Sequence, residues 1–253
     1  MGRAVPAVAR ALDILELFLE TPVVSAPEIT ERLGLPRTTV HELVTTLAAR
    51  SYLVPVPGQP TRYRLGLQLF LLGSSFAERL DLATEAQEVA AETAAACDET
   101  VHVALLEGID VVYVAKVDST HPVRMVSAVG RRLPAHCTGV GKVLLSGLSQ
   151  EAMDARYPRD RVLPAMTPRS ITSPRKLGAH LAEVRASGVA YDDCESNDAV
   201  HCVAAPVYER SGAMVAAMSI SVPNIRWDAR RRTELTKLVR SGAAALSQRL
   251  GHS

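Results

Sequence analysis

The sequence predicts an α+β chain in two parts: a winged helix-turn-helix unit over residues 1–65 and a mixed antiparallel sheet flanked by helices over residues 81–253, joined by a helix at 66–80. Three observations predict this. Residues 25–50 read as two short helices with a tight Gly-Leu-Pro turn between them. Residues 52–65 alternate like a hairpin directly after those helices. From residue 98 the apolar period changes to that of strands, interleaved with helical stretches.

At 253 residues, 47% of them apolar, the chain is long enough for one large or two smaller buried cores. No apolar run approaches the length of a membrane span, and Met1-Gly-Arg-Ala-Val-Pro6 is not a signal peptide, so a soluble cytoplasmic protein is expected. Cys97, Cys137, Cys194 and Cys202 are widely spaced without C-x-x-C, which argues against disulfides and a zinc finger. Net charge is +1. Any case for nucleic acid must therefore rest on where the charges sit. In residues 1–65 seven arginines face six acids; Arg37, Arg50, Arg62 and Arg64 fall on the second helix and the hairpin, and the acids fall mainly on the first two helices.

Residues 5–20 read as an opening helix with Val8, Ala11, Leu12, Leu15, Phe18 and Leu19 on its buried face, ended by Thr21-Pro22. Ser25 and Glu28 are spaced as a capping box, with Val24 and Ile29 placed as a hydrophobic staple. Gly34 can take positive φ, and Pro36 suits the first turn of the next helix. In that helix Val40, Leu43, Val44 and Leu47 form one apolar stripe. The other face carries Arg37, Thr38, Thr39, His41, Glu42, Thr45 and Thr46, and short hydroxyls with an Arg at a helix N-terminus suit base edges and phosphates in a major groove. Taken alone, the helix is equally an ordinary surface helix. The hairpin tips the balance: its turn centres on Pro57-Gly-Gln-Pro60, Tyr63 and Leu65 alternate with Arg62 and Arg64, and a hairpin at this place is a wing whose arginines lie beside phosphates.

In residues 66–80, Leu67, Phe70, Leu71, Ser74 and Phe76 mark a helix that packs on a second copy of the chain or on its own domain. Asp81 is placed to cap a helix over 82–97 with Leu82, Ala86, Val89, Ala90 and Thr93 on one side. Two strands joined at Glu107-Gly-Ile-Asp110 follow, then a strand from Arg124 to Val129. Residues 139–148 and 151–156 are helical, and Ser173 to Ser187 is a helix stopped by Gly188. Strands begin at Val189, Val200 and Ala213, the last two joined at Glu209-Arg-Ser-Gly212. Asp228 begins a terminal helix whose Arg230-Arg-Arg232 run reads as a solvated face.

Leu133-Pro-Ala-His-Cys-Thr-Gly-Val-Gly-Lys142 invites a nucleotide reading, but a P-loop needs Gly where His136 stands and Ser or Thr where Val143 stands. What remains is a glycine-rich entry to a helix. Free N–H groups at Gly139 and Val140 would favour a small carboxylate, unless the stretch is only a tight turn.

That stretch, the N-terminal block, Tyr191-Asp-Asp193, Cys202-Val-Ala-Ala-Pro-Val207 and Ser219-Ile-Ser-Val222 together resemble the IclR-type bacterial transcriptional regulators, in the right order and over essentially the whole chain. The resemblance implies a GAF-like effector-binding second domain, homodimers or homotetramers on palindromic double-stranded DNA operators, repression as the commoner mode, and neither enzymatic activity nor a cofactor. It also implies that a small organic acid is held by residues matching Gly139, Val140, Asp192, Cys202, Ser219 and Ser221, with Met125, Leu133 and Val200 as apolar walls. Ser219 and Ser221, two apart on a strand, share a face. Asp192 or Asp193 points inward, and the spacing to Cys202 favours Asp192. Two other functions stay open: a metal-responsive repressor using Asp192, His136, Cys137 or Cys202, and a hydrolase using Cys202 with His136 or His201 as base.

Overall fold

The computed structural model describes residues 5–78, 81–123 and 127–252, the side chains of 75–78 and 81 excepted. It divides into two compact units, Met1–Arg79 and Leu80–Ser253.

In the first unit, α1 (Pro6–Glu16) passes into a 3-10 turn, so the opening helix is shorter than expected. Its core contacts come from Ile14 and Phe18, with Ala11 and Leu15 half-buried, while Val8, Leu12 and Leu19 are exposed. At 100° per residue the exposed three sit more than a quarter-turn from Ile14, beyond what one small core covers. Strand β1 (Val24–Ser25) leads into α2 (Ala26–Leu33) through the capping box: Ser25 Oγ accepts from the Glu28 N–H at 3.3 Å, and Glu28 Oε2 accepts from the Ser25 N–H at 2.7 Å. Val24 and Ile29 are both buried beside it. Gly34 ends α2 at φ +63°, a conformation most residues resist. Helix α3 (Arg37–Ala49) begins one residue later than expected, because Pro36 at ψ 141° stays outside it as the cap. Val40, Val44 and Leu47 are its buried stripe, with Leu43 half-buried.

The hairpin of β2 (Leu53–Val56) and β3 (Gln59–Leu65) turns on Pro57-Gly58 alone, with Val56 facing Gln59 and Gly58 at φ +75°. The sequence placed a four-residue turn here; pairing reaches two residues further. β1 also joins β3, with Val24 facing Tyr63 and Ser25 facing Arg62, so the sheet runs β1-β3-β2. Leu65 is exposed at the strand end rather than turned inward like Tyr63. Gly66 follows, so close to the Ser51 carbonyl that a Cβ would lie 2.1 Å from its oxygen. Helix α4 (Leu67–Glu78) then leaves Leu67, Phe70, Leu71 and Leu72 exposed.

The second unit is built on a six-stranded sheet, order β6-β5-β4-β9-β8-β7, of β4 (Thr100–Glu107), β5 (Asp110–Val117), β6 (Arg132–Pro134), β7 (Ala190–Asp193), β8 (Val200–Tyr208) and β9 (Met214–Pro223). All five pairings are antiparallel. The expected strand from Arg124 lies partly outside the described residues. Ser127 and Ala128 are irregular, the chain reverses through Gly130 at φ +83°, and Arg132–Pro134 supplies the edge strand in its place.

One face of the sheet is covered by α5 (Asp81–Cys97) and α9 (Ala229–Arg249), burying Val101, Val103, Val203, Ala205, Met218 and Ile220. The expected α5 stripe, Leu82, Ala86, Val89, Ala90 and Thr93, is buried there; Asp81 as its cap lies outside the described side chains. Gly242 lets α9 approach, since a Cβ there would sit 2.5 Å from Thr93 Oγ1. The other face is covered by α6 (Gly139–Ser146) and α8 (Pro174–Ser187), with the short α7 (Gln150–Arg156) outside them. Ser173 and Gly188 cap α8 as expected.

Of the arginine run on α9, Arg230 and Arg232 are exposed as expected, while Arg231 is half-buried. Arg231 donates to the Cys97 carbonyl and lies 3.7 Å from the buried Glu99, and the Arg232 guanidinium stacks 3.9 Å from the centre of the Tyr191 ring. Glu99 is held chiefly by Arg226, through bonds of 2.8 and 2.6 Å. Burying a carboxylate requires such partners, which draws Arg226 and Arg231 partly inward.

Candidate functional site

Two places carry the residues singled out from the sequence. On α3, Arg37, Thr38, His41 and Thr45 are exposed and Thr39 is half-buried. Thr46 is exposed but its hydroxyl donates to the Glu42 carbonyl at 2.8 Å, so its own helix occupies it. Arg62 and Arg64 are exposed on β3. Both arginines and the polar face of α3 thus project from the unit whose core is formed by Val40, Val44 and Leu53.

The second place is the α6 face of the large sheet. Strand register fixes which side chains meet. Asp192 faces Cys202, Cys202 faces Ser221 and Ser221 faces Thr100 in one row; Ala190, Ala204, Ser219 and His102 form the next. Paired residues share a face, so these polar groups share one surface. Asp192, Cys202, Ser219, Ser221 and His102 are all buried. Asp193 points outward and pairs with His201 at 3.2 Å, which resolves the choice between the two acids.

Cys202 Sγ lies 3.2 Å from Ser221 Oγ, and Ser221 Oγ lies 3.4 Å from His102 Nδ1. The other ring nitrogen, Nε2, is 2.7 Å from Ser127 Oγ, and the ring packs on Tyr113 at 4.6 Å. Asp192 accepts at Oδ1 from the Glu195 and Ser196 N–H groups, at 2.6 and 3.2 Å, and at Oδ2 from the Ser196 hydroxyl. Burial nonetheless outweighs those bonds and lifts its pKa to about 6. Burial lowers His102 to about 3, so the ring is neutral, and raises the Cys202 thiol well above its ordinary value.

Helix α6 begins on this surface. Thr138 caps it, accepting from the Gly141 N–H at 3.0 Å, and the N–H groups of Gly139 and Val140 lack intrahelical partners by position. Gly139 lies against this surface: a Cβ there would make ordinary contacts, 3.4 Å from Ala204 Cβ and 3.7 Å from the Asp192 nitrogen. Gly141 has no such room, since its Cβ would meet the Ala135 carbonyl oxygen at 2.1 Å. One turn on, fully buried Lys142 pairs with Glu195, which ties α6 to the loop that holds Asp192. Val200 lies on the face of Cys202, two residues before it. Leu133 is buried with Val140 and Tyr113 in the same core. Met125 lies outside the described residues.

The sequence reading missed His102, Tyr113 and Ser127. His102 stood in the open: a polar residue on the inward phase of Val101-His-Val-Ala-Leu105. Ser127 gave no signal, because its place depends on a loop. A cavity of 830 Å³ lies at the opposite end of α6, among Leu106, Leu144, Leu148, Arg185 and Met214, and is lined by none of the residues singled out.

The residues proposed for a metal or a catalytic pair do not converge. His136 Nε2 bonds the Pro164 carbonyl at 2.9 Å, and His201 turns to Asp193 and Cys194, the latter at 3.6 Å. Cys202 has Ser221 rather than a histidine beside it, and its raised pKa is the reverse of what a thiolate nucleophile needs. Among the described residues no three His, Cys, Asp or Glu side chains are grouped to hold a metal ion. Among them, too, no helix is long and apolar enough to cross a membrane.

The family model for the C-terminal domain of the bacterial transcriptional regulator IclR matches residues 74–248, and that for the IclR helix-turn-helix domain matches residues 7–57. The chain belongs to the IclR family of transcriptional regulators. It is 30% identical to the KdgR regulator of Escherichia coli over 98% of this chain and 94% of KdgR. It is 31% identical to the transcriptional repressor IclR of Escherichia coli, over 98% and 90%. Among solved structures, the IclR of Thermotoga maritima superposes with a TM-score of 0.78 at 26% identity, covering 98% of this chain and 99% of that one. An IclR homologue of Microbacterium hydrocarbonoxydans complexed with 4-hydroxybenzoate shares the fold, with a TM-score of 0.86 at 23% identity, over 98% and 100%. The IclR architecture therefore extends over both units.

Proposed function

We propose that this IclR-family regulator is a ligand-responsive repressor. It places α3 in the major groove of a palindromic operator and senses a small organic acid in its C-terminal unit. The carrying observation is the row Asp192, Cys202, Ser221 with Ser219 beside it, four polar side chains buried under the start of α6 in an apolar core. A core built for packing alone is usually apolar, whereas this one gathers a carboxyl, a thiol and two hydroxyls on one surface. The N–H groups of Gly139 and Val140 supply donors for a carboxylate, and Ser219 and Ser221 supply hydroxyls. The bound acid of the Microbacterium homologue is also a carboxylate, which supports the class of guest.

Arg37, Thr38, Thr39, His41 and Thr45 read base edges and phosphates, and Arg62 and Arg64 lie along the flanking backbone. The exposed apolar side chains of α1 and α4, among them Leu12, Phe70 and Leu71, support a homodimer or homotetramer in which a second copy covers them. The guest alters operator affinity by binding unequally to two arrangements of paired reading helices.

Calorimetry with small acids tests the pocket in wild type and in the double variant Ser219→Ala with Ser221→Ala. Loss of about tenfold or more in affinity is expected, since a hydrogen bond to a charged group contributes about 1.5–3 kcal/mol. Unchanged affinity in the double variant rejects the pocket.

A further inference from the structure

We infer that His102 is a positioning residue of the effector pocket, one that sets the Ser221 hydroxyl as a donor to an anionic guest and ties the segment at Ser127 to the pocket floor. The inference rests on the carboxylate reading above and adds a residue to it.

The geometry is a chain of four groups: Ser127 Oγ, 2.7 Å to His102 Nε2, then His102 Nδ1, 3.4 Å to Ser221 Oγ, then 3.2 Å to Cys202 Sγ. His102 is fully buried and sits opposite Ser219 in the strand register, so it belongs to the same surface as the proposed guest contacts. A neutral imidazole has one donor and one acceptor nitrogen. If the hydrogen is on Nε2, Nδ1 accepts and takes the only hydrogen Ser221 has. If the hydrogen is on Nδ1, the ring donates to Ser221 Oγ, and the hydroxyl hydrogen turns outward to a carboxylate. Ser127 then completes the chain by donating to Nε2. In the second arrangement the two lone pairs of Ser221 Oγ accept from the ring and from the protonated Cys202 thiol, which leaves the hydroxyl hydrogen for the guest. The ring is neutral and the thiol protonated because both are deeply buried. Lys116 and Asp118, the charged groups nearest the ring, pair with each other at 2.9 Å.

The outer end of the chain has its own consequence. Ser127 is held twice, by the His102 ring and by the Lys116 ammonium, which donates to the Ser127 carbonyl at 2.6 Å. Its side of the molecule is irregular and lies next to Gly130 and Arg131 rather than in the sheet. The same ring therefore orients the Ser221 hydroxyl and holds Ser127.

Three substitutions separate these roles. Asn places its amide near the position of Nδ1 and can donate to Ser221 without reaching Ser127. Gln places its amide near Nε2 and reaches Ser127 without serving Ser221. Phe keeps the packing on Tyr113 and does neither. The probes are 4-hydroxybenzoate, benzoate and acetate, each beside its neutral amide, titrated by calorimetry into the full-length chain. Amide hydrogen exchange of the peptide spanning 118–131 is followed in parallel.

His102→Phe should lower affinity for any acid that binds wild type by about ten- to a hundredfold, with little change for the amide. His102→Asn should restore most of that affinity while exchange at 118–131 stays fast. His102→Gln should restore slow exchange but not affinity. A loss that is equal in all three variants, or acid affinity in His102→Phe within twofold of wild type, overturns the role of His102 and leaves the pocket standing. If none of the acids binds wild type, the carboxylate reading falls together with the donor role. Unchanged exchange in His102→Phe overturns the anchor.

Discussion

Replacing Asp192 by Asn should stabilise the C-terminal unit at neutral and alkaline pH. Asp192 is fully buried, and its pKa is raised from an ordinary 3.8 to about 6, by burial first, against hydrogen bonds from Ser196 and Glu195 and attraction from Lys142. Glu195 adds repulsion, and Cys202, opposite Asp192 in the strand register, stays a neutral thiol. The sign follows from linkage. A raised folded pKa means that the folded chain binds the proton more tightly, so this group's contribution to stability falls as pH rises from about 4 to about 6. Above pH 7 the folded unit carries a penalty of about 3 kcal/mol, the equivalent of that change in pKa. Asn mimics the protonated acid: its oxygen accepts from the two N–H groups and its amide donates to Ser196 Oγ. Asp192→Asn should therefore gain up to about 3 kcal/mol at pH 8 and only about 1 kcal/mol at pH 4.5. Trp227 is the single tryptophan and lies in the C-terminal unit, so urea unfolding followed by its fluorescence reports that unit alone. A loss of stability at pH 8, with the wild-type dependence on pH retained, would refute the reasoning.

The same group gives a second expectation: a carboxylate guest should bind more tightly at pH 5.5 than at pH 8, with proton uptake, and Asp192→Asn should flatten that dependence in calorimetry run in buffers of different ionisation enthalpy. Gly141→Ala should unfold the C-terminal unit or cost several kcal/mol, because its Cβ would meet backbone at Ala135, whereas Gly178→Ala on α8 meets nothing within 4 Å and should gain about 0.5–1 kcal/mol in the same urea assay. Glu99→Ala should cost about 3–5 kcal/mol, since it leaves Arg226 and Arg231 without the carboxylate between them. Ser25→Ala should cost the first unit about 1 kcal/mol, read by thermal unfolding, through loss of the capping box.

What the sequence disclosed follows the range of the interactions concerned. The capping box at Ser25 and Glu28, the stop at Gly34, the stripe of α3 and the caps of α8 are set by residues within a few positions of one another, and each lies where the pattern put it. Strand parity alone placed Ser219 and Ser221 on one face, and the pairing of Asp192 with Cys202 agreed with their spacing. The failures share a different cause. The width of the α1 stripe exceeds the core that receives it, so Leu12 reads as buried and is exposed. Arg231 reads as solvated because nothing nearby in sequence reveals Glu99. The union of β1 with β3, the edge strand at Arg132–Pro134 and the bond from Ser127 to His102 all join segments far apart along the chain. Lys142 carries no signal once the P-loop pattern fails, yet it is the buried tie between α6 and the loop of Asp192.

The central claim is that α3 reads DNA, and selection from a randomised duplex library tests it most directly. The full-length chain and its Arg37→Ala variant are each taken through successive rounds of binding, with circular dichroism showing that the variant is folded. The account predicts that wild type enriches one inverted-repeat motif and that Arg37→Ala, exposed and outside the core, enriches it weakly or not at all. Equal enrichment of the same motif by both proteins, or no motif with wild type, would contradict it.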